Sequence, residues 1–106
     1  MTIDIDAVTS EMLDAVKASL ALAWNKLDNT ATSFFEDHRD RLETLAQQRL
    51  DNEIDDDFFQ KRLQDEATIL ASDLCAEDII TQVAAQNAAN AALDVLNTTI
   101  EAALKL

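Results

Sequence analysis

The feature that most constrains this chain is that it offers the backbone almost no place to turn. Its 106 residues include no Gly and no Pro, the residues on which tight turns and β-hairpins most often depend. One strong turn signal stands near the midpoint, in the segment LDNEIDDDFF at residues 50–59. A chain of helix formers that is interrupted once in the middle predicts an all-α protein, folded as a long antiparallel helical hairpin.

The predicted hairpin has definite bounds. A single domain covers residues 1–106, with a first arm at about 4–51, a turn at 52–54 and a second arm at about 55–105. Each arm of about 50 residues would be about 75 Å long, at about 1.5 Å per residue. In this arrangement residue i of the first arm faces residue 107 − i of the second.

The predicted turn has a specific chemistry. Asn52 is suited to the left-handed conformation that ends many helices, since only Gly adopts it more readily. Asp55 is a good N-cap for the next helix, and the two acids after it favour the positive end of the helix dipole. Ile54 and Phe59 then occupy the positions of a hydrophobic staple. These four residues predict where the hairpin reverses.

The first arm carries an apolar stripe in helical phase. From Val16 the apolar or small residues recur in steps of four and three, which keeps them on one face of a nearly straight helix. The segment at residues 28–33 is poor in helix formers, and Ser33 and Glu36 have the spacing of a capping box. A break there is the alternative, but the stripe crosses the segment without losing phase. That phase favours a continuous helix.

The second arm is rich in alanine, and no Gly, no Pro and no cap is expected to interrupt it. From Gln82 onward its polar residues form a narrow stripe, and a helix that is apolar over most of its girth usually packs against more than one neighbour. The predicted solution is self-association, with two hairpins forming a coiled-coil-like four-helix bundle and a dimer favoured. The candidate interface comprises Val16, Leu20, Trp24, Leu27, Val83, Ala84, Ala88, Ala91 and Val95.

Charge and hydropathy exclude some partners. The formal net charge is −13, from 21 acidic and 8 basic residues, so the surface repels nucleic acid phosphates and anionic lipids. The longest uncharged stretch, residues 79–93, is too short and too polar to span a bilayer. The first residues do not resemble a signal peptide. We therefore expect a cytoplasmic protein without a nucleic acid or membrane partner, to which a basic protein could bind.

The residues that could carry chemistry do not assemble into a known motif. His38 is the sole histidine and falls on the apolar stripe, while Cys75 is the sole cysteine and has no Lys or Arg near it in sequence. The acids at residues 51–57 alternate as in a calcium loop, but Asp56 and Arg62 stand where such a loop needs Gly and Glu. We expect no enzyme, no metal and no cofactor, and packing roles for His38 and Cys75.

These observations lead to one functional expectation and one alternative. The expectation is a non-enzymatic, self-associating helical hairpin that acts through protein contacts as a structural or adaptor subunit. The alternative is an acidic inhibitor, immunity-type protein or nucleic-acid mimic that occupies a basic site on a target protein.

Overall fold

The computed structural model describes residues 2–105, and this part of the chain is helical with no β-strand. Four helices follow one another: α1 (Ile5–Leu20), α2 (Trp24–Leu50), α3 (Asp56–Cys75) and α4 (Gln82–Leu104). A short 3₁₀ turn, Ala21–Ala23, joins the first two. Each helix runs antiparallel to the one before it, and α4 packs against both α1 and α3. The result is an up-down-up-down bundle.

The prediction of two continuous helices of about 50 residues is therefore wrong. The bundle measures 39 × 23 × 22 Å, about half the length of the predicted rod. Each predicted arm folds back once: the first at residues 21–23, the second at residues 76–81. A single chain thus forms the four-helix arrangement that the hairpin prediction assigned to two chains.

The first reversal occurs where the sequence contains no turn signal. Ala21 has a φ of 51°, a conformation that costs an alanine about 1–3 kcal/mol. Folding back places α1 against α2 and α4, and buries five of its six large apolar side chains. Each contributes about 1.5–3 kcal/mol, so burial outweighs the local strain. The residues concerned are Ile5, Val8, Met12, Val16 and Leu20.

The second reversal has a local signal that the sequence reading passed over. Asp78 has a φ of 60°, and Asp is among the residues that tolerate this region best. Thr81 then caps α4, since its hydroxyl accepts a hydrogen bond from the Ala84 amide at 3.1 Å. The conclusion that no cap interrupts the second arm is therefore wrong.

The central connection lies at the residues that the sequence indicates. Asn52 has a φ of 60°, and the amides of Asn52 and Glu53 donate to the carbonyls of Arg49 and Gln48 at 3.2 and 2.8 Å. This is the hydrogen-bond pattern of a Schellman motif. Asp55 caps α3 by accepting from the Phe58 amide at 2.9 Å. Phe59 is buried, and Ile54 packs partly buried against the same core.

Replacing Asn52 by glycine tests this turn. We expect Asn52→Gly to be neutral or to stabilise the protein by up to about 1 kcal/mol, because glycine adopts a positive φ without a steric penalty. Chemical denaturation of both proteins gives the difference. Clear destabilisation would mean that Asn52 does not occupy the left-handed position.

The core has an unequal distribution of side-chain size. Leu, Phe, Met and Val from α1, α2 and α3 meet a face of α4 made largely of alanine. Small side chains let helix axes approach closely, and α4 contacts all three other helices. The fully buried alanines of α4 are Ala85, Ala88, Ala89 and Ala92.

Candidate functional site

The residues of the predicted oligomer interface fall into three groups in the bundle. Four of them are buried inside the chain, where a partner could reach them only if the bundle opened. Val83 is the one that is well exposed, at 70%. The buried members are Val16, Leu20, Leu27 and Ala88, and the half-buried members are Trp24, Ala84, Ala91 and Val95.

Three exposed apolar side chains, which together we call the loop-end surface, lie at or beside the α1–α2 and α3–α4 connections. The antiparallel order of the helices brings both connections to the same end of the bundle. The loop-end surface consists of Leu22, Ile79 and Val83, which are 96%, 39% and 70% exposed. These are three of the six large apolar side chains that are exposed within residues 2–105. The two chain reversals that the sequence did not predict therefore place these residues at this end of the bundle.

A buried acidic side chain lies between α2 and α3. Glu66 is 6% exposed, the only buried polar or charged residue within residues 2–105. Arg41 binds both of its oxygens, with Nε 2.6 Å from Oε1 and Nη2 3.1 Å from Oε2. His38 Nδ1 lies 3.1 Å from Oε2. We call these three residues the Glu66 cluster.

The Glu66 cluster is an ion-pair network with an aromatic neighbour. The His38 ring lies against Phe34 with centroids 4.1 Å apart, so its apolar face is packed while Nδ1 meets Arg41 and Glu66. A carboxylate held by two Arg contacts is a hydrogen-bond acceptor with fixed geometry. The cluster joins α2 to α3 through the Arg41–Glu66 and His38–Glu66 contacts.

Arg41 and Glu66 also line a groove between α2 and α3. The groove encloses about 780 Å³. Phe58 and Ile69 line it from α3 and are 44% and 38% exposed. The guanidinium carbon of Arg62 lies 5.2 Å from the Phe58 ring centroid, a cation–π arrangement. Leu45, on α2, is a buried part of its lining.

The α2–α3 pair follows the register that the midpoint turn predicts. Arg41 pairs with Glu66, and the Thr30 hydroxyl donates to Glu77. In both pairs the residue numbers add to 107, the sum expected for a hairpin folded at residue 53. The register of the groove is therefore readable from the sequence, although its depth is not.

An exposed ion pair links α1 to α2. Arg39 Nε lies 2.7 Å from Asp6 Oδ1. The hydrogen bond and the charge of Arg39 hold the pKa of the Asp6 carboxyl below its ordinary value. A lowered folded-state pKa stabilises the protein above the unfolded pKa of the carboxyl, and this stability is lost as the pH falls through the folded value. Both side chains are solvent-exposed, so the contribution is small.

The remaining candidates do not form a site in the part of the chain described. Within residues 2–105 no group of three or more His, Cys, Asp or Glu residues is placed to hold a metal ion. Cys75 is half-buried near the end of α3 and packs against the core. No helix in this range combines the length and hydropathy needed to cross a membrane.

Sequence reasoning missed the exposed apolar residues and the role of Glu66. Glu66 occupies an apolar position on the buried stripe of α3, between Leu63 and Leu70, and an acid on such a stripe signals a paired, buried charge. Phe58 and Ile69 are 11 residues apart, three helical turns, and so share a face. The sequence did not indicate that Leu22 is exposed, because its exposure depends on the reversal at residues 21–23, where no residue favours a turn.

The comparisons with known proteins give no relative from which a role could be transferred. No protein-family model, no curated protein and no solved structure matches this chain.

Proposed function

We propose that this protein is a non-enzymatic helical bundle that acts through protein–protein contacts, as a structural or adaptor subunit, and that it forms a homodimer. The observation that carries the proposal is the loop-end surface, where three large apolar side chains are exposed at or beside the two connections at one end of a small bundle. Scattered apolar residues are ordinary on protein surfaces, but grouped ones mark contact sites.

Charge supports a second copy of this chain as the occupant of the loop-end surface. Two molecules that each carry a net charge of −13 repel each other over most of their surfaces. The loop-end surface lies in uncharged segments: Leu22 within residues 18–25, and Ile79 and Val83 within residues 79–93. A two-fold contact sets the same patch against itself. A contact made through these segments brings no charged side chain of residues 18–25 or 79–93 against the partner copy.

Sedimentation equilibrium at micromolar concentration tests the proposal. The unmodified protein should have twice the mass of the 11.7 kDa chain. The double variant Leu22→Glu/Val83→Glu should be monomeric, because it places charges in the apolar contact. Both positions are exposed, so the bundle itself should keep its helical content and thermal stability.

A control separates the contact from a general effect of charge. Thr68→Glu/Thr98→Glu adds the same two charges at exposed positions of α3 and α4 away from the loop end, and this variant should remain dimeric. A monomeric unmodified protein would refute self-association. A dimer that survives Leu22→Glu/Val83→Glu would show that it forms through another surface.

The net charge of −13 favours a second candidate function, an acidic inhibitor or nucleic-acid mimic that occupies a basic site on a target protein. Such a complex should weaken steeply with salt, since charge contacts between exposed groups are screened. An affinity that does not change between low and physiological ionic strength would contradict this function.

A further inference from the structure

We propose that the α2–α3 groove binds a basic, amphipathic helix of a partner protein. The inference rests on the proposed function in one respect, that the protein acts through protein contacts. It concerns a different surface from the loop-end surface and a different occupant.

Helix α3 carries apolar side chains on a second face, outside the core. The core face of this helix carries Phe59, Leu63 and Leu70, all buried. A bundle helix with one core face should be polar elsewhere. Phe58 and Ile69 are nevertheless exposed, and both line the same groove. Two large apolar side chains on one face that line the same groove differ from apolar residues scattered singly over a surface.

The length and shape of the groove match those of a short helix. The residues of α3 that line the groove run from Phe58 to Ile69, about 16 Å along the helix axis. The lining of α2 runs antiparallel to it, from Asp40 to Gln48. A trough between two antiparallel helices is the surface on which a third helix packs. About three turns of a partner helix, with apolar side chains at i, i+4, i+7 and i+11, match this length.

An ion pair between α2 and α3 lies in the groove, and both arginines of the groove are already engaged. Arg41 is bound to Glu66 by two hydrogen bonds. Arg62 lies over Phe58 and 3.6 Å from Asp65. The buried charge of Glu66 is therefore neutralised before any partner arrives. A preorganised groove loses less conformational entropy when it binds.

Acidic side chains surround the groove. Asp65 and Asp40 line it and are paired with Arg62 and Arg39. Asp37 and Asp73 line the cleft that continues it past His38, and within residues 2–105 neither of these two is in an ion pair. The acidic charge that no arginine neutralises therefore lies beside the apolar floor, at the His38 end of the groove. A complementary helix carries Lys or Arg on both sides of its apolar stripe.

A display library of helical peptides is the probe. Each peptide has 16 residues, with Leu, Ile, Phe or Met at i, i+4, i+7 and i+11, and with flanking positions varied among Lys, Arg, Glu and Asp. Selection against the full chain should enrich peptides with Lys or Arg at the flanks. Their affinity should fall at least tenfold for Phe58→Ser/Ile69→Ser, because the loss of about 1.4 kcal/mol of apolar contact is tenfold in Kd.

Two controls make each outcome decisive. Val83→Ser removes an exposed apolar side chain at the loop end and should leave peptide affinity unchanged. The monomeric Leu22→Glu/Val83→Glu variant should also bind, so a failure of self-association and a failure of the groove are scored separately. No enrichment, enrichment of acidic flanks, or full affinity for Phe58→Ser/Ile69→Ser would each overturn the inference.

Discussion

Ala88→Leu should destabilise this protein by about 3 kcal/mol, the upper part of the range for overpacking a well-filled core. Ala88 has no exposed surface and lies on the helix that contacts all three others. A leucine there has no space to enter without pushing neighbouring helices apart. At about 4–8 °C per kcal/mol for a domain of this size, Tm should fall by more than 10 °C.

The neighbouring residue provides the control. Asn87 is exposed on the same turn of α4, and Asn87→Leu should change stability by no more than about 0.5 kcal/mol, as surface substitutions usually do. Thermal unfolding followed by circular dichroism measures both variants. If Ala88→Leu were as stable as the unmodified protein, α4 would not be at the centre of a tightly packed bundle.

Removing the partner of Glu66 should cost more than removing Glu66 itself. Arg41→Ala leaves a carboxylate that is 6% exposed with His38 as its only described partner. Breaking a buried ion pair costs about 3–5 kcal/mol, and we expect about 3 kcal/mol, because Arg41 is half-exposed and water can enter the groove. Glu66→Met replaces the charge by an apolar side chain of similar length and should be neutral or stabilising.

The double variant tests the cause of this asymmetry. In Arg41→Ala/Glu66→Met no buried charge is left unpaired, so most of the stability lost in Arg41→Ala should return. Urea denaturation of the four proteins gives the coupling energy from a double-mutant cycle. If Arg41→Ala were harmless, or if Glu66→Met were the more damaging change, the buried ion pair would not have the role that its geometry indicates.

The local parts of this fold were predictable from the sequence. The turn at residues 51–55 depends on the conformational preference of Asn52 and on the capping side chain of Asp55, and neither requires knowledge of the rest of the chain. The register of α2 against α3 follows from that turn, as the Arg41–Glu66 pair shows. The continuity of α2 through residues 28–33 follows from the phase of its apolar stripe.

The reversal at Ala21 was not predictable from local preference. Alanine is the best helix former, and residues 20–24 contain no Gly, Pro, Asn, Asp or Ser. The chain bends there because α1 gains more by covering α4 than the strained backbone costs. This competition is decided by contacts between residues far apart in sequence. The turn at Asp78, by contrast, had signals in Asp78 and Thr81 that were readable.

Because the reversal at Ala21 was not predicted, only part of the candidate site could be predicted. The surplus apolar surface of the second arm was real, but α1 covers much of it within the chain, so Val16, Leu20 and Ala88 became core residues. The exposed apolar residues are instead those at reversals and on the second face of α3, such as Leu22 and Phe58. Which face of a helix remains exposed depends on how many helices pack against it. That number is known only when the topology is known.

The central claim is that one chain folds into a four-helix bundle in which α1 lies against α2. The distance between spin labels at Ser10→Cys and Glu36→Cys, in a Cys75→Ala background diluted with unlabelled protein, tests it most directly. Both positions line one cleft between these helices, so the labels should be separated by little more than the spacing of adjacent helices, about 8–10 Å between axes, plus the reach of the labels. A continuous helix would hold the two backbones about 39 Å apart. A distance near that value would contradict the account.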